Sequence, residues 1–394
     1  MKKVQPDVEA FARIRVVGVG GSGCNAVNHM VDSKVRGVDF VAVNTDAQDL
    51  HHAHSKKKIH IGKNLTRGLG TGMNPDMGKR AAEETKEEIQ EALKGSDMVF
   101  VTCGMGGGTG TGAAPVIAKT ARETGALTVA VVTKPFSFEG QQRMRLAELG
   151  LEDLRKEVDA LVVIPNDRLL AVVQRETTVK NAFAMCDDIL KQAVEGISDI
   201  ITTPGIVNVD FADIRAVMDN AGSALMGIGV ASGEKRAEDA AKAAINSPLL
   251  EVSIAGAKGV LFAIAGGDDL SMLEVQDAAK IITESIDPNA KVIFGAVFDG
   301  TLKKNEVKVT VIATGFPEHS MSGKSTSLFQ LARKAEDKES KKEKIYNSVS
   351  ILGGEEMKKD DKKKAAKEKE EEKKDDDNDD WSTIPAFLRR SKLK

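Results

Sequence analysis

The chain has 394 residues, more than one compact domain usually holds, so we expect at least two domains. Its 56 Lys and Arg residues nearly balance its 59 Asp and Glu residues, which argues against a protein whose main task is coating nucleic acid. The three cysteines are far apart, and neither a secretory signal nor an apolar run of about 18 residues is present, so the sequence predicts a cytoplasmic protein with no segment inserted in a membrane.

Short apolar runs rich in β-branched residues alternate with helical stretches in the first half of the chain. The predicted strands are 13–19, 40–44, 97–102, 126–133 and 160–164. They are apolar almost continuously, which is typical of a parallel sheet covered by helices on both faces. Between two of them, Asn74 and Pro75 are predicted as the N-cap and first residue of a helix that extends to about Lys94. The alternation predicts a doubly wound, Rossmann-like α/β domain with a mostly parallel sheet.

A long amphipathic helix is predicted from Val179 to about Ile201, because apolar residues recur there at three- and four-residue spacing. A second α/β region follows it. Its predicted helices lie near 211–220, 235–246 and 271–285, and its strands at 259–266, 291–298 and 306–314. The last strands have no helical crossovers, so we expect a mixed sheet. Beyond Pro317 the core pattern is lost and residues 357–380 are mostly charged, which predicts a disordered tail.

Two glycine-rich segments follow predicted strands. Gly18, Gly20 and Gly23 form G-x-G-x-x-G, with Asp46 at the end of the next strand, a weak pattern that would also suit a dinucleotide-binding oxidoreductase. The second segment, GMGGGTGTG at 104–112, precedes another helix. Glycines let several backbone N–H groups converge on an anion at a helix N-terminus, so the two loops predict a cradle for a nucleoside triphosphate. An NAD-dependent oxidoreductase stays the alternative, but it leaves the second loop unused.

Three motifs resemble the FtsZ family of bacterial cell-division GTPases in the tubulin superfamily. They are GGGTGTG at 106–112, NVDFADI at 208–214 and IPAFLRR at 384–390. The resemblance extends in unbroken order over residues 13–316. It implies hydrolysis of GTP to GDP, head-to-tail polymerisation into filaments, and a contractile ring at the division site on the inner face of the plasma membrane. The implied organisation is an N-terminal tail (1–12), a GTP-binding domain (13–178), a central helix (179–203), a GTPase-activating domain (204–317), a linker (318–380) and a partner-binding peptide (381–394).

The resemblance also implies a set of nucleotide contacts. The expected GTP-binding residues are Gly20, Gly21, Ser22, Gly23, Cys24, Asn25, Asn44, Asp46, Gly70, Thr71, Gly72, Gly104, Gly106, Gly107, Gly108, Thr109, Gly110, Pro135, Glu139, Arg143, Asn166, Phe183 and Asp187. An aspartate acceptor suits guanine, whose N1–H and N2–H₂ groups are donors, and Phe183 can pack on the purine. From the residues alone, Glu139 and Arg143 equally suit an ordinary i,i+4 helix pair.

Asp210 and Asp213 stand three residues apart at the start of a predicted helix. By themselves they suit an N-cap and a first-turn acid. The resemblance implies that they, with Asn208, act on the water that attacks the nucleotide of a neighbouring subunit. The length of the central helix supports this, because it places Asp187 and Asp210 on the order of 30 Å apart. We expect Mg²⁺ on the phosphates with few protein ligands.

Apolar and basic residues return after the charged segment, including the only tryptophan of the chain. Apolar residues behind a solvated spacer predict a peptide that binds a partner. The expected contact residues are Trp381, Ile384, Pro385, Phe387, Leu388, Arg389 and Arg390. The resemblance implies that the partners are membrane tethers and regulators of the division ring. We expect no nucleic-acid partner and no metal site at the histidines of residues 51–60.

Overall fold

The computed structural model describes residues 12–170, 177–203, 205–207, 209–247, 250, 253–300 and 302–316. The predicted linker and partner-binding peptide lie outside the described residues, as do Asn208 and almost all of the predicted N-terminal tail. In the part of the chain that the structure describes, no helix combines the length and the apolar character needed to cross a membrane.

The described residues contain one sheet of eleven strands. The strands are β1 (Ile14–Val19), β2 (Val38–Asn44), β3 (Lys57–His60), β4 (Met98–Gly104), β5 (Leu127–Lys134), β6 (Ala160–Pro165), β7 (Gly205–Val207), β8 (Gly222–Ser232), β9 (Gly259–Gly266), β10 (Lys291–Phe298) and β11 (Glu306–Thr314). Their spatial order is β3-β2-β1-β4-β5-β6-β8-β11-β9-β10-β7.

The relative directions of neighbouring strands change after β8. All pairs from β3 to β8 are parallel, whereas β11 runs antiparallel to both of its neighbours and β7 antiparallel to β10. Pairing of residues 160–162 with 222–224 joins the two parts. The fold is therefore α/β, with a mostly parallel sheet continued by a mixed one, and the predicted fold class is confirmed.

Twelve α-helices connect these strands in the described part of the chain. They are α1 (Gly20–Asp32), α2 (Ala47–His51), α3 (Lys63–Thr66), α4 (Pro75–Glu84), α5 (Lys86–Leu93), α6 (Thr109–Glu123), α7 (Gln141–Glu157), α8 (Asn166–Leu170), α9 (Val179–Thr202), α10 (Phe211–Met218), α11 (Arg236–Ile245) and α12 (Met272–Glu284). Apolar residues of α1, α9 and α10 pack on one face of the parallel sheet, and those of α4 to α7 on the other. A third cluster joins α11 and α12 to the strands of the mixed sheet.

The central helix α9 packs against both parts of the sheet. Thr178 caps it by accepting a hydrogen bond from the N–H of Asn181 at 3.3 Å. Its buried residues share one cluster with Leu261 and Ile312 of the mixed sheet and with strands of the parallel sheet. At 1.5 Å per residue its 24 residues span about 36 Å. The helix is therefore long enough to connect a site at one edge of the parallel sheet with elements beyond the other edge.

The predicted elements agree with the structure most closely where the apolar pattern is longest, and β9, β10 and β11 have the predicted bounds. The predicted helix from Pro75 to Lys94 is divided at Thr85, whose hydroxyl donates to Ala81 O and accepts from the N–H of Gly62. Such a side chain competes with the helical pattern. The strands β3, β7 and β8 were not predicted.

Candidate functional site

A cavity of about 530 Å³ opens where β1, β4, β5 and β6 end. Ligands of parallel α/β sheets ordinarily bind at this carboxyl edge. Most of the predicted GTP-binding residues line the cavity. They are Gly20, Gly21, Ser22, Asn25, Thr71, Gly72, Gly104, Gly107, Gly108, Thr109, Gly110, Pro135, Glu139, Arg143, Asn166, Phe183 and Asp187.

Two helix N-termini face this cavity. The helix α1 begins at Gly20 and α6 begins at Thr109, and each leaves first-turn N–H groups without an intrahelical acceptor. The two loops touch, because a Cβ added to Gly20, whose φ is +70°, would lie 2.9 Å from the backbone N of Gly110. The N-terminal ends of two helix dipoles therefore converge, which favours an anionic ligand such as a chain of phosphates.

The segment 70–73 covers the glycine loop from the side of α4. Gly72 and Met73 both have positive φ, at +58° and +62°. The hydroxyl of Thr71 lies 3.2 Å from that of Thr109, and it occupies the space that a Cβ on Gly108 would take. The residue at position 108 therefore has to be glycine for this segment to approach the loop.

The opposite end of the cavity carries an aromatic ring and two polar side chains. Phe183 of α9 is 42 % exposed and packs edge-on against the buried ring of Phe136 at 5.4 Å. Burial raises the pKa of Asp187, one helical turn further on, to about 6, with His29 partly opposing the shift. Asn166 is 5 % exposed, and its Oδ1 has no hydrogen-bond partner within the described part of the chain. The aromatic end of the cavity therefore offers two acceptors to a ligand that carries donors.

The side of the cavity is formed by an ion pair on the segment after β5. Glu139 bonds to Arg143 through one carboxylate oxygen and to the N–H of Phe136 through the other. This pair has the i,i+4 spacing expected from the sequence. Pro135 lies between β5 and this pair, and all three residues line the cavity.

Six predicted nucleotide contacts do not line the cavity. They are Gly23, Cys24, Asn44, Asp46, Gly70 and Gly106. Gly23 lets α1 pack on β4, because a Cβ there would lie 2.5 Å from Thr102 O. Cys24 is 1 % exposed and burial raises the pKa of its thiol to about 12, while the carboxylate of Asp46 caps α2. Gly23 and Asp46 therefore have structural roles beside the cavity, and contact of any of the six residues with a nucleotide stays a prediction.

Besides the expected GTP-binding residues, six others line the cavity, of which Met73 and Met105 lie in loops that the resemblance assigns to the phosphates. They are Val19, Met73, Met105, Thr133, Cys186 and Leu190. Three of them follow directly from the topology, because Val19, Met105 and Thr133 lie at or beside the carboxyl ends of β1, β4 and β5, where predicted residues also lie. Cys186 and Leu190 lie three and seven residues after Phe183 on α9 and so share its helix face.

The predicted catalytic acids lie outside this cavity. Asp210 is the N-cap of α10 and accepts from the N–H of Ala212 at 3.1 Å, and Asp213 lies in the first turn. Both are exposed. Arg215, on the same helix, donates to the carbonyl of Gly125 at 3.0 Å, at the turn that precedes β5. The cavity lies at the other end of β5, and eight residues of a strand span about 26 Å.

These features define a tubulin-like GTPase, because two glycine-rich loops and an aromatic pocket end share one edge of a parallel sheet that a long helix connects to a second α/β part. Residues 13–174 match the Tubulin/FtsZ family, GTPase domain, and residues 222–317 match the FtsZ family, C-terminal domain. The chain belongs to the FtsZ family.

Solved structures agree with this assignment. An M. jannaschii FtsZ structure described as an empty dimer is 49 % identical, covers 78 % of this chain and 89 % of its own, and has a TM-score of 0.74. A point mutant of M. jannaschii FtsZ has the same identity and TM-score and covers 78 % of this chain and 92 % of its own. CetZ2 from Haloferax volcanii, solved as a GTPγS-bound protofilament, shares the fold at 23 % identity, with a TM-score of 0.67 and coverage of 83 % and 99 %.

Proposed function

We propose that this protein polymerises head to tail, that each junction between subunits is the GTPase active site, and that the filaments form a contractile ring at the division site. The proposal is supported by membership of the FtsZ family and by relatives solved as a dimer and as a protofilament. In this scheme the cavity of one subunit holds GTP, and Asp210, Asp213 and Asn208 of the next subunit complete the site.

The observation that carries the proposal is the separation of the acids from the cavity. Arg215 fixes α10 to the amino end of β5, whereas Thr133 and Pro135 line the cavity at its carboxyl end, about 26 Å away. A single nucleotide cannot touch both ends of that strand. Both can act on one nucleotide only when two copies stack, and a contact between unlike faces repeats into a filament.

Exposed apolar side chains surround the mouth of the cavity. Leu69 is 69 % exposed, Phe138 is 66 % exposed and Met73 is 37 % exposed. Single exposed apolar residues are common, but three beside a polar nucleotide cavity favour a face that another protein covers. A second copy that supplies Asp210 and Asp213 would cover them.

The polar groups of the cavity suit guanine. Asp187 and the unpaired Oδ1 of Asn166 are acceptors, and guanine presents N1–H and N2–H₂ as donors, whereas adenine presents an acceptor at N1. Leaving a buried acceptor unpaired costs about 1–3 kcal/mol, so a base that satisfies Asn166 is preferred by a comparable amount. The phosphates would then extend from this end toward the two helix N-termini.

Hydrolysis in such a site needs a positioned water and stabilised charge, since phosphoryl transfer leaves little covalent chemistry to the protein. Asp213 and Asp210 would orient the attacking water. The described residues contain no group of three His, Cys, Asp or Glu side chains that could hold a metal ion. Mg²⁺, which would neutralise the phosphates, would therefore take its ligands mainly from phosphate oxygens and water.

GTP affinity is expected to depend on pH through Asp187. Its carboxyl group has a pKa raised to about 6, so it is increasingly protonated below that pH. A protonated carboxyl group has an O–H donor in place of one acceptor, so it can no longer accept from both N1–H and N2–H₂ of guanine. Affinity should therefore be full above about pH 7 and fall by up to tenfold per pH unit below about pH 5. The dissociation constant of GDP measured across this range, beside that of Asp187→Asn, separates this effect from phosphate titration. Equal pH profiles for the two proteins would contradict the assignment.

The experiment that tests the proposed function is phosphate release per subunit measured against protein concentration, with pelleting of filaments in parallel. A junction site predicts almost no turnover below a threshold concentration and a steep rise above it, coinciding with pelleting. GTP should support both, and ATP neither. A rate per subunit that does not change with concentration would place the whole active site in one chain and overturn the proposal.

The remaining assignments complete the proposal. The parts 13–178 and 204–317, joined by the central helix, would be the GTP-binding and GTPase-activating domains. The peptide 381–394, behind the linker 318–380, would bind membrane tethers and ring regulators, which places the filaments in the cytoplasm at mid-cell.

A further inference from the structure

Three buried threonine hydroxyls meet beside the glycine loop. The hydroxyl of Thr109 lies 2.8 Å from that of Thr45 and 3.2 Å from that of Thr71. All three residues are at most 8 % exposed. Thr45 follows β2, Thr71 belongs to the segment 70–73, and Thr109 begins α6. The hydroxyls therefore connect two parts of the cavity wall, at Thr71 and Thr109, with the end of β2 behind them.

The two partners of Thr109 differ in how else they are held. Thr45 is fixed through its backbone, since its carbonyl accepts from the Nε2 of His60 at 3.0 Å and its N–H donates to Asn44 Oδ1 at 2.9 Å. The N–H groups of residues 70–73 donate to no other group in the part of the chain that the structure describes. The hydroxyl of Thr71 is therefore the main polar anchor of this segment, and four N–H groups remain available for a ligand.

The protons and lone pairs of the three hydroxyls allow one assignment of donors and acceptors that satisfies all three and leaves one proton for a ligand. A hydroxyl has one proton to donate and two lone pairs to accept with. If Thr45 and Thr71 each donate to Thr109, both lone pairs of Thr109 are used and its proton is available for a phosphate oxygen in the cavity. All three hydroxyls are then satisfied, and the bond from Thr71 holds the segment 70–73 beside that phosphate.

We propose that Thr71 is a positioning residue that makes the site prefer GTP over GDP, by holding the segment 70–73 through the hydroxyl of Thr109 so that its N–H groups meet the terminal phosphate. The inference rests on the proposed placement of GTP, with its phosphates at the two helix N-termini. GDP has no third phosphate for this segment to bind, so the position of the segment matters for GTP alone.

The test compares two variants that remove one hydroxyl each from the same partner, Thr71→Val and Thr45→Val. Binding of GTPγS and GDP is measured by competition at protein concentrations too low for assembly. Loss of one hydrogen bond, about 1 kcal/mol, corresponds to about fivefold in affinity. Thr71→Val should lower the affinity for GTPγS about fivefold and leave the affinity for GDP unchanged. Thr45→Val should change both nucleotides alike, because Thr45 does not contact the segment 70–73.

A second measurement separates this role from a general loss of structure. The N–H of Asn74 donates to Thr71 O at 3.2 Å, so its hydrogen exchange reports on how firmly the segment is held. This exchange in the nucleotide-free protein should be faster in Thr71→Val than in the parent protein. Thr71→Ser, which keeps the hydroxyl, should restore both the slower exchange and the preference for GTPγS. The inference is wrong if Thr71→Val lowers the affinity for GDP as much as that for GTPγS, so that the ratio of the two affinities does not change. Neither result depends on filament formation, so failure of the proposed polymerisation would be seen separately, by pelleting.

Discussion

Replacing Asp213 by alanine is expected to reduce GTP turnover about a hundredfold or more while leaving GTP affinity within about a factor of two. The carboxylate of Asp213 is exposed and makes no hydrogen bond or ion pair with the described residues. Its removal should therefore cost little stability. Since Asp213 does not line the cavity, binding of GTP by the isolated subunit should not change. Steady-state phosphate release and nucleotide affinity measure the two effects.

The matched control is Asp219→Ala, which removes an exposed acid from the other end of α10 and should keep full turnover. Mixing gives a sharper test of the shared site. Asp213→Ala keeps an intact cavity, and Asp187→Ala keeps intact acids, so each alone should be inactive. In a filament of equal parts, up to about a quarter of the junctions combine the intact cavity with the intact acids. Activity that does not recover on mixing would contradict a site built from two subunits.

Much of the fold was predictable because it depends on local apolar patterns. The strands β9 and β10 are nearly continuous apolar runs, and β11 begins with alternating polar and apolar residues. A long pattern of either kind determines its own bounds. The strands that were missed lack it. The sequence of β3 is KKIH, an edge strand with two exposed lysines, and β8 contains three glycines that read as turns. Their pairing is decided by neighbouring strands far away in the chain.

The cavity was predictable for a topological reason. Parallel strands bring their carboxyl ends to one edge, so the residues that follow β1, β4, β5 and β6 had to meet there once a parallel sheet was predicted. Contacts between side chains at that edge were not predictable. Nothing in the sequence indicates that Thr45 and Thr109, 64 residues apart, place their hydroxyls 2.8 Å from each other. The relation of Asp210 to the cavity likewise depends on the contact of Arg215 with Gly125.

The ion pairs around Arg236 could not be predicted from the sequence either, and we expect their loss to have the largest effect on stability. The side chain of Arg236 is 4 % exposed. It bonds to both carboxylate oxygens of Glu274 at 2.6 and 3.2 Å, to Asp269 Oδ2 at 2.6 Å, and to Asn305 Oδ1 at 3.2 Å. These contacts join α11 to the N-terminus of α12 and to the turn before β11. One buried side chain thus holds together the helices that cover the mixed sheet.

We expect Arg236→Met to lower the free energy of unfolding by about 3 kcal/mol or more, the usual cost of removing one partner of a buried ion pair. Most of this cost should come from Glu274, because its side chain is 21 % exposed. The side chain of Asp269 is 54 % exposed and already in contact with water. Urea unfolding followed by circular dichroism measures the loss. The control Lys242→Met breaks the exposed pair with Glu238 and should cost less than about 1 kcal/mol.

The pH dependence of this loss of stability tests whether Glu274 is its source. The hydrogen bonds from Arg236 lower the pKa of Glu274 from its ordinary value of 4.5 to about 2. A carboxyl group whose pKa is lower in the folded state stabilises the fold above its unfolded pKa, and this contribution disappears as the pH falls from about 4.5 to about 2. The difference in unfolding free energy between the parent protein and Arg236→Met should therefore be greatest near neutral pH and shrink over that interval. A difference that stays constant down to about pH 2 would mean that the arginine acts through packing of its side chain rather than through its charge.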